Sequence, residues 1–110
     1  MKFTKTDFDG VYLIEIEKSE DERGFFARTF DSKIFEEKGL IFQFIQSSIS
    51  NNIKKGTIRG MHYQIEPYAE TKLVTCTNGK IFDVLIDLRP NSKTFKKWQS
   101  FELDSKYYSS

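Results

Sequence analysis

Short β-forming runs separated by polar breaks recur along this whole chain. That punctuation points to an all-β fold, since each run is long enough for a strand and too short for a core helix. Residues 11–17 (V-Y-L-I-E-I-E) are β-rich and end in alternation. Residues 25–30, 41–48, 57–64 and 98–103 repeat the theme with Phe, Ile, Thr and Trp. The breaks have physical causes. Residues 18–23 are charged and predict a loop closed at Gly24. Residues 51–55 predict a polar turn, and Glu66-Pro67 ends the run before it. One short helix is predicted, with Asp31-Ser32 as its cap, an end near Lys38 and Gly39 as its stop. Aromatic residues make up 15% of the chain, with eleven phenylalanines and five tyrosines, which suits pleated surfaces. The expectation is a single domain over residues 1–110, an antiparallel sandwich or jelly roll.

The strongest turn signal is Asn78-Gly79, which between β-rich runs favours a two-residue type I′ hairpin. That hairpin would pair Thr77 with Lys80, Cys76 with Ile81, Val74 with Asp83 and Lys72 with Leu85. Lys72 and Asp83 would then be diagonal neighbours on one face, roughly 7–8 Å apart at the backbone. Pro90 and Asn91 would end it. Asp87 shares the Asp83 face by period two, and would compete for Lys72 or serve the hairpin's end.

Bulk properties exclude several classes. Net charge is +1 with both signs interspersed, so no global field draws the chain to nucleic acid or an anionic membrane. No apolar run reaches the length of a membrane span, and the start M-K-F-T-K-T-D-F-D-G lacks the apolar stretch of a signal peptide. Cys76 is alone, so no intrachain disulfide exists, which fits a reducing cytoplasm. It reads as a small core residue. One histidine is too few for the convergent ligand sets of metal-binding jelly rolls. Gly56 and Gly60 lie outside the context of a phosphate-binding loop.

Residues 56–87 concentrate the chemistry. Arg59 and His62 are three apart and would face opposite ways on a flat strand. Gly60 between them predicts a bulge, which would turn both toward one space. The alternative is an exposed arginine beside a hydrogen-bonded core histidine. Lys72 and Asp83 read either as an ordinary cross-strand ion pair or as pocket groups. Arg23 reads either as part of a solvated loop or as a fork for phosphate. Taken together, Arg59, His62, Lys72 and Asp83 suit a pocket for an anionic sugar ligand, with the imidazole placed to move a proton on carbon.

Five stretches in order resemble the nucleotide-sugar epimerases typified by dTDP-4-dehydrorhamnose 3,5-epimerase: D-E-R-G-F-F at 21–26, G-T-I-R-G-M-H-Y-Q at 56–64, K-L-V at 72–74, G-K-I-F-D-V-L-I-D-L-R at 79–89 and S-K-T-F-K-K-W at 92–98. The resemblance implies a cupin-type jelly roll, a cytoplasmic homodimer, no metal or cofactor, and a place in surface polysaccharide (lipopolysaccharide) synthesis. It implies epimerisation of a dTDP-linked 4-keto-6-deoxy sugar at C3, C5 or both. His62 would take the proton beside the C4 ketone, and Lys72 would stabilise the enolate. Asp83 would support them from the pocket floor. Arg59 and Gln46 would hold the nucleotide or sugar, and Arg23 would reach into the neighbouring subunit's site. Arg28 stands where a glutamate is usual, Ser48 where an asparagine is usual, and Glu70-Thr71 where Gln-Gly is usual; all three positions lie near ligand contacts. The family's tyrosine acid and the aspartate partner of the histidine fall beyond Ser110. Neither Tyr107 nor Tyr108, which look like the start of another strand, matches that acid. The expectation is therefore a jelly roll incomplete at its C-terminal end, in a shortened epimerase. The alternatives are a non-catalytic nucleotide-sugar-binding module and a metal cupin of other chemistry.

Overall fold

A computed structural model describes residues 1–107 and 109–110. Its regular elements are β1 (Lys2–Lys5), β2 (Tyr12–Glu15), β3 (Lys18–Asp21), β4 (Gly24–Ala27), α1 (Ser32–Glu37), β5 (Lys80–Ile86) and β6 (Trp98–Asp104). The strands form three antiparallel pairs, β1 with β2, β3 with β4 and β5 with β6. Two compact units divide the chain, one of residues 1–31 with 73–110, the other of residues 32–72.

In the first unit, β1 and β2 are joined by a turn that the Thr6 side chain organises. Its Oγ1 accepts from the Phe8 amide at 3.1 Å, and its hydroxyl faces the Phe8 and Val11 carbonyls. Gly10, at φ +79°, supplies the left-handed position this turn needs. Phe8 is buried at the turn, with Ile14, Cys76 and Leu103 the other buried apolar residues of this unit among those described. Ser110 exchanges two backbone bonds with Ile14, at 2.7 and 2.9 Å, and the Ser109 hydroxyl accepts from the Asp104 amide at 3.0 Å. Tyr107 lies in a turn rather than opening a strand; Tyr108 lies outside the described residues.

The charged stretch expected to be a loop is instead strand β3. It runs back as β4 through the turn at Glu22-Arg23, with Asp21 opposite Gly24 and Lys18 opposite Ala27. The Asp21 carboxylate accepts from the Arg23 amide at 2.9 Å, the local side-chain bond that favours turns at aspartate. Charge on an exposed hairpin costs little, so polarity was a poor guide to its secondary structure.

The hairpin expected across Asn78-Gly79 does not form. A type I′ turn needs positive φ at both central residues. Gly79 has it, at +73°, but Lys96 is the only non-glycine with positive φ among the described residues, so Asn78 does not adopt the required geometry. Lys80 opens β5, which pairs with β6 in the register Lys80 to Asp104 and Ile86 to Trp98. Ser105 donates to the Gly79 carbonyl at 3.0 Å and closes that end of the ladder. The directly paired residues divide the hairpin into two faces. Ile81, Asp83 and Leu85 lie on one face with Gln99, Phe101 and Leu103; Phe82, Val84 and Ile86 lie on the other with Trp98, Ser100 and Glu102.

In the second unit, α1 ends as its sequence predicts. Gly39 takes φ +67°, its amide donates to Glu36 O at 2.9 Å, and the Leu40 amide donates to Phe35 O at 2.9 Å. These are the two bonds of a Schellman cap, which only a left-handed residue allows without strain. Phe35, buried on this helix, meets the Phe44 ring edge-on at 6.3 Å between centroids. The strands expected at 41–48 and 57–64 are not formed among the described residues. Their β-rich sequence has no paired strand in this unit, and an isolated extended segment has no ladder to stabilise it.

Candidate functional site

Arg59, Gly60 and His62 lie in irregular backbone of the second unit, so the expected bulge is not set in a sheet. Gly60 nonetheless bends the chain between them, at φ +109°. A Cβ there would meet the His62 amide nitrogen at an ordinary 3.5 Å, so conformation rather than crowding is what calls for glycine. Arg59 is anchored to the preceding turn, its Nε donating to Asn52 Oδ1 at 2.7 Å. His62 is exposed and makes no hydrogen bond among the described residues, which sets aside the reading of a hydrogen-bonded core histidine. Its ring nitrogens are therefore uncommitted. Gln46 and Ser48 are also exposed in irregular backbone.

Lys72 pairs with Glu70 at 3.3 Å, both side chains about half exposed. The register that put Lys72 diagonal to Asp83 is overturned, because residues 72–77 form no strand against β5. Glu70, noted in the sequence only as a departure from the expected pattern, is the local carboxylate that holds Lys72. With its amide turned so that both ends are satisfied, Gln64 donates to the same carboxylate at 2.6 and 3.0 Å. Glu70 thereby links the lysine to the segment that carries His62. Tyr63, Gln64, Ile65 and Tyr68 line a shallow open depression alongside.

In the first unit, Asp83 is half-buried on β5 between Ile81 and Leu85 on its face, with no hydrogen bond or ion pair among the described residues. Arg23 sits at the β3–β4 turn, where its Nη2 and Nε bind the Asp21 carboxylate at 2.6 and 3.3 Å. Those bonds hold the Asp21 carboxyl below its ordinary 3.8 and the Arg23 guanidinium above its ordinary value. The fork expected to meet a phosphate thus already grips a carboxylate, the same planar recognition. Arg28 bonds Asp31 at 2.5 Å.

Two further side chains shape the β5–β6 hairpin, and only the first was foreseen. Of the two roles expected for Asp87, competing for Lys72 and serving the hairpin's end, it takes the second: it is buried and organises the β5–β6 connection. Its carboxylate accepts from Arg89 Nε, Nη2 and amide at 2.9, 2.8 and 3.0 Å, from Ser92 Oγ at 2.6 Å and from Thr94 Oγ1 at 2.7 Å. The Arg89 bonds first, then Ser92 and Thr94, hold it far below the ordinary carboxylate value. The signal was in the sequence: an aspartate two residues before an arginine and a Pro-Asn turn, followed by hydroxyls at 92 and 94. Gln99 is the second. Its Oε1 is sealed from solvent without a donor among the described residues, on the β6 face that carries Asp83's partner Phe101. Among the described residues, no group of three His, Cys, Asp or Glu side chains is gathered to hold a metal ion, and no helix is long and apolar enough to cross a membrane.

The family model for dTDP-4-dehydrorhamnose 3,5-epimerase matches residues 5–109. The dTDP-4-dehydrorhamnose 3,5-epimerase of Shigella flexneri is 44% identical over 106 residues, covering 96% of this chain and 58% of that protein. A crystal structure of the Bacillus anthracis enzyme of that name, with TDP and PPi bound, overlays with a TM-score of 0.94 at 38% identity, covering 98% of this chain and 62% of that one. The Legionella pneumophila dTDP-6-deoxy-D-glucose-3,5-epimerase, in complex with dTDP-4-keto-L-rhamnose, overlays at 0.89 and 36% identity, covering 98% and 57%. The chain thus spans less than two thirds of the length of these relatives. Its antiparallel strands and helix follow the jelly-roll path of those enzymes, and Arg59, His62, Lys72 and Asp83 fall inside the matched range. The chain belongs to the dTDP-4-dehydrorhamnose 3,5-epimerase family.

Proposed function

We propose that this chain carries the proton-abstracting portion of an epimerase for a dTDP-linked 4-keto-6-deoxy sugar. The observation that carries the reading is the single, exposed, hydrogen-bond-free imidazole of His62 within a stretch that matches the family throughout. A ketone at C4 acidifies the neighbouring C–H. An uncommitted imidazole nitrogen takes that proton, the C–H bonding pair moves into the C3–C4 or C4–C5 bond, and the carbonyl π pair goes to oxygen as an enolate. The Lys72 ammonium stabilises that oxygen, a charge that exists fully only after deprotonation. Return of a proton to the opposite face of the same carbon inverts it, and a group other than His62 must deliver it. Asp83 supports the charged groups. Arg59, Gln46, Ser48 and Arg28 bind the nucleotide or sugar, and Arg23 serves the neighbouring subunit of a homodimer. The substrate assignment draws support from the TDP and dTDP-4-keto-L-rhamnose found with the related structures. The same reading makes the enzyme cytoplasmic, without a cofactor, in deoxysugar supply for surface polysaccharide.

The test is deuterium incorporation from heavy water into a dTDP-4-keto-6-deoxy sugar, followed by NMR. Label at both C3 and C5 is expected for a double epimerase. Label at one carbon narrows the reaction and points to Arg28 and Ser48. No label with dTDP still bound favours a binding module that holds the nucleotide sugar without turnover.

A further inference from the structure

The face of the β5–β6 hairpin that carries Asp83 is otherwise apolar, at Ile81, Leu85, Phe101 and Leu103, except for Gln99. Phe101 stands opposite Asp83 and Gln99 opposite Leu85. Gln99 is therefore the diagonal neighbour of Asp83, roughly 7–8 Å away at the backbone. Both side chains are half-buried. Gln99 Oε1 is closed off from solvent without a donor among the described residues, and Asp83 likewise has no hydrogen bond or ion pair among them. An acceptor held out of water without a donor weakens the fold, and native chains keep few of them. Leucine or methionine at this strand position would carry no such cost. A ligand that supplies the missing donor is a physical reason to keep the glutamine. Nor is the group locked. The last torsion of a glutamine side chain is broad and two-fold, so the carboxamide can swing its oxygen toward a ligand without moving the strand.

We propose that Gln99 is a specificity-determining residue that accepts a hydrogen bond from the C2 hydroxyl of the sugar. This rests on the proposed function, which puts Asp83 at the sugar rather than at the nucleotide. The choice of hydroxyl follows from the chemistry. The C4 ketone, the C6 methyl and the ionised diphosphate offer no donor. The C3 hydroxyl moves to the other side of the ring when C3 is inverted, so an acceptor fixed to a strand keeps it for only part of the reaction. C2 neither loses nor gains a proton, and its hydroxyl holds its place throughout. Binding it equally before and after deprotonation anchors the ring without favouring either state. The substrates this selects are 4-keto-6-deoxy sugars that retain a C2 hydroxyl. A 2-deoxy sugar would leave Oε1 unpaired in the complex and is discriminated against for that reason.

The test measures, by titration calorimetry, the affinity of the 110-residue chain for a dTDP-linked 4-keto-6-deoxyhexose and for its 2-deoxy counterpart. The parent is expected to bind the hydroxylated sugar about 10-fold more tightly, and Gln99→Met, of similar volume, to bring that ratio close to one. Gln99→Leu repeats the measurement with a second apolar shape, and circular dichroism checks that each variant keeps the parent's fold. The parent's own ratio needs no variant to be read. A purely structural glutamine would change stability without changing the ratio, so the ratio isolates recognition. Equal affinity of the parent for the two sugars overturns the proposal. So does a preference that survives in both variants, which would assign the hydroxyl to another residue. Failure of either sugar to bind at all would overturn the epimerase reading and this inference with it, whereas equal binding overturns this inference alone.

Discussion

At the scale of single residues, charge partners are chosen locally. Lys72 is held by Glu70, Arg23 by Asp21 and Arg28 by Asp31. The sequence made the residue types legible but not these pairings, because long flexible side chains find the nearest carboxylate at little cost and the exposed pairs are individually weak. A weak, half-exposed pair with Glu70 leaves Lys72 able to exchange partners, as the proposed function requires of it. His62→Ala is expected to lower carbon–hydrogen exchange by roughly 10²–10⁴-fold while leaving dTDP affinity near that of the parent. Lys72→Ala is expected to lower kcat by about 10²-fold with a smaller change in KM. Isotope exchange and fluorescence titration of dTDP separate these effects. A Lys72 variant that changes affinity alone would reduce the lysine to a binding group. Gln99 was illegible for a different reason: nothing in a sequence marks a glutamine whose oxygen ends up sealed without a donor. An unpartnered buried acceptor costs about 1–3 kcal/mol, so Gln99→Met, of similar volume, is expected to raise stability by roughly 1 kcal/mol in urea unfolding. A loss of that size would mean that the amide has a partner after all.

At the scale of elements, local signals succeeded where a single side chain or backbone position decides the geometry. Gly39 stops α1 because the Schellman cap needs a left-handed residue, and Pro90-Asn91 lies in a turn because its chemistry is self-contained. They failed where the partner strand decides. Asn78-Gly79 advertised a hairpin, but residues 72–77 form no strand, and β5 pairs with β6 in a seven-rung register whose connection is built around Asp87. That connection titrates in a foreseeable direction. The folded carboxyl lies below its ordinary 3.8, so the folded state resists protonation more than the unfolded state does. Its stabilising effect is complete above about pH 4 and declines as pH falls through the depressed folded value. Melting temperature against pH should therefore show Asp87→Asn less stable than the parent at neutral pH, with the gap closing progressively below about pH 4. Asp21 and Asp104 are depressed too, but both proteins keep them, so the difference isolates Asp87. A gap that stays constant down to pH 2 would mean that the loss acts through packing rather than through the carboxylate's charge.

At the scale of the whole molecule, composition and ordered motifs made the fold family legible, since five short stretches in register survive even where individual strands are misassigned. Assembly is a different matter, because a shared site leaves no periodicity in one chain. The proposal that Arg23 serves the neighbouring subunit makes a sharp prediction in a homodimer. Take two variants of the catalytically competent enzyme, His62→Ala and Arg23→Ala, each impaired when pure. In the first, both sites lack the base; in the second, both lack the arginine. In a mixed dimer the site of the His62→Ala subunit receives the defective Arg23 position and carries both lesions. The other site combines an intact His62 with an intact Arg23 from its neighbour and is whole. Random re-association of equal amounts puts half the dimers in the mixed state with one good site each, so about a quarter of parental activity should return on unfolding and refolding together. If each site draws both residues from one subunit, mixing restores nothing beyond the average of the two pure variants. The isotope-exchange rate of the refolded mixture, compared with that average, distinguishes the two assemblies without any knowledge of where the subunits meet.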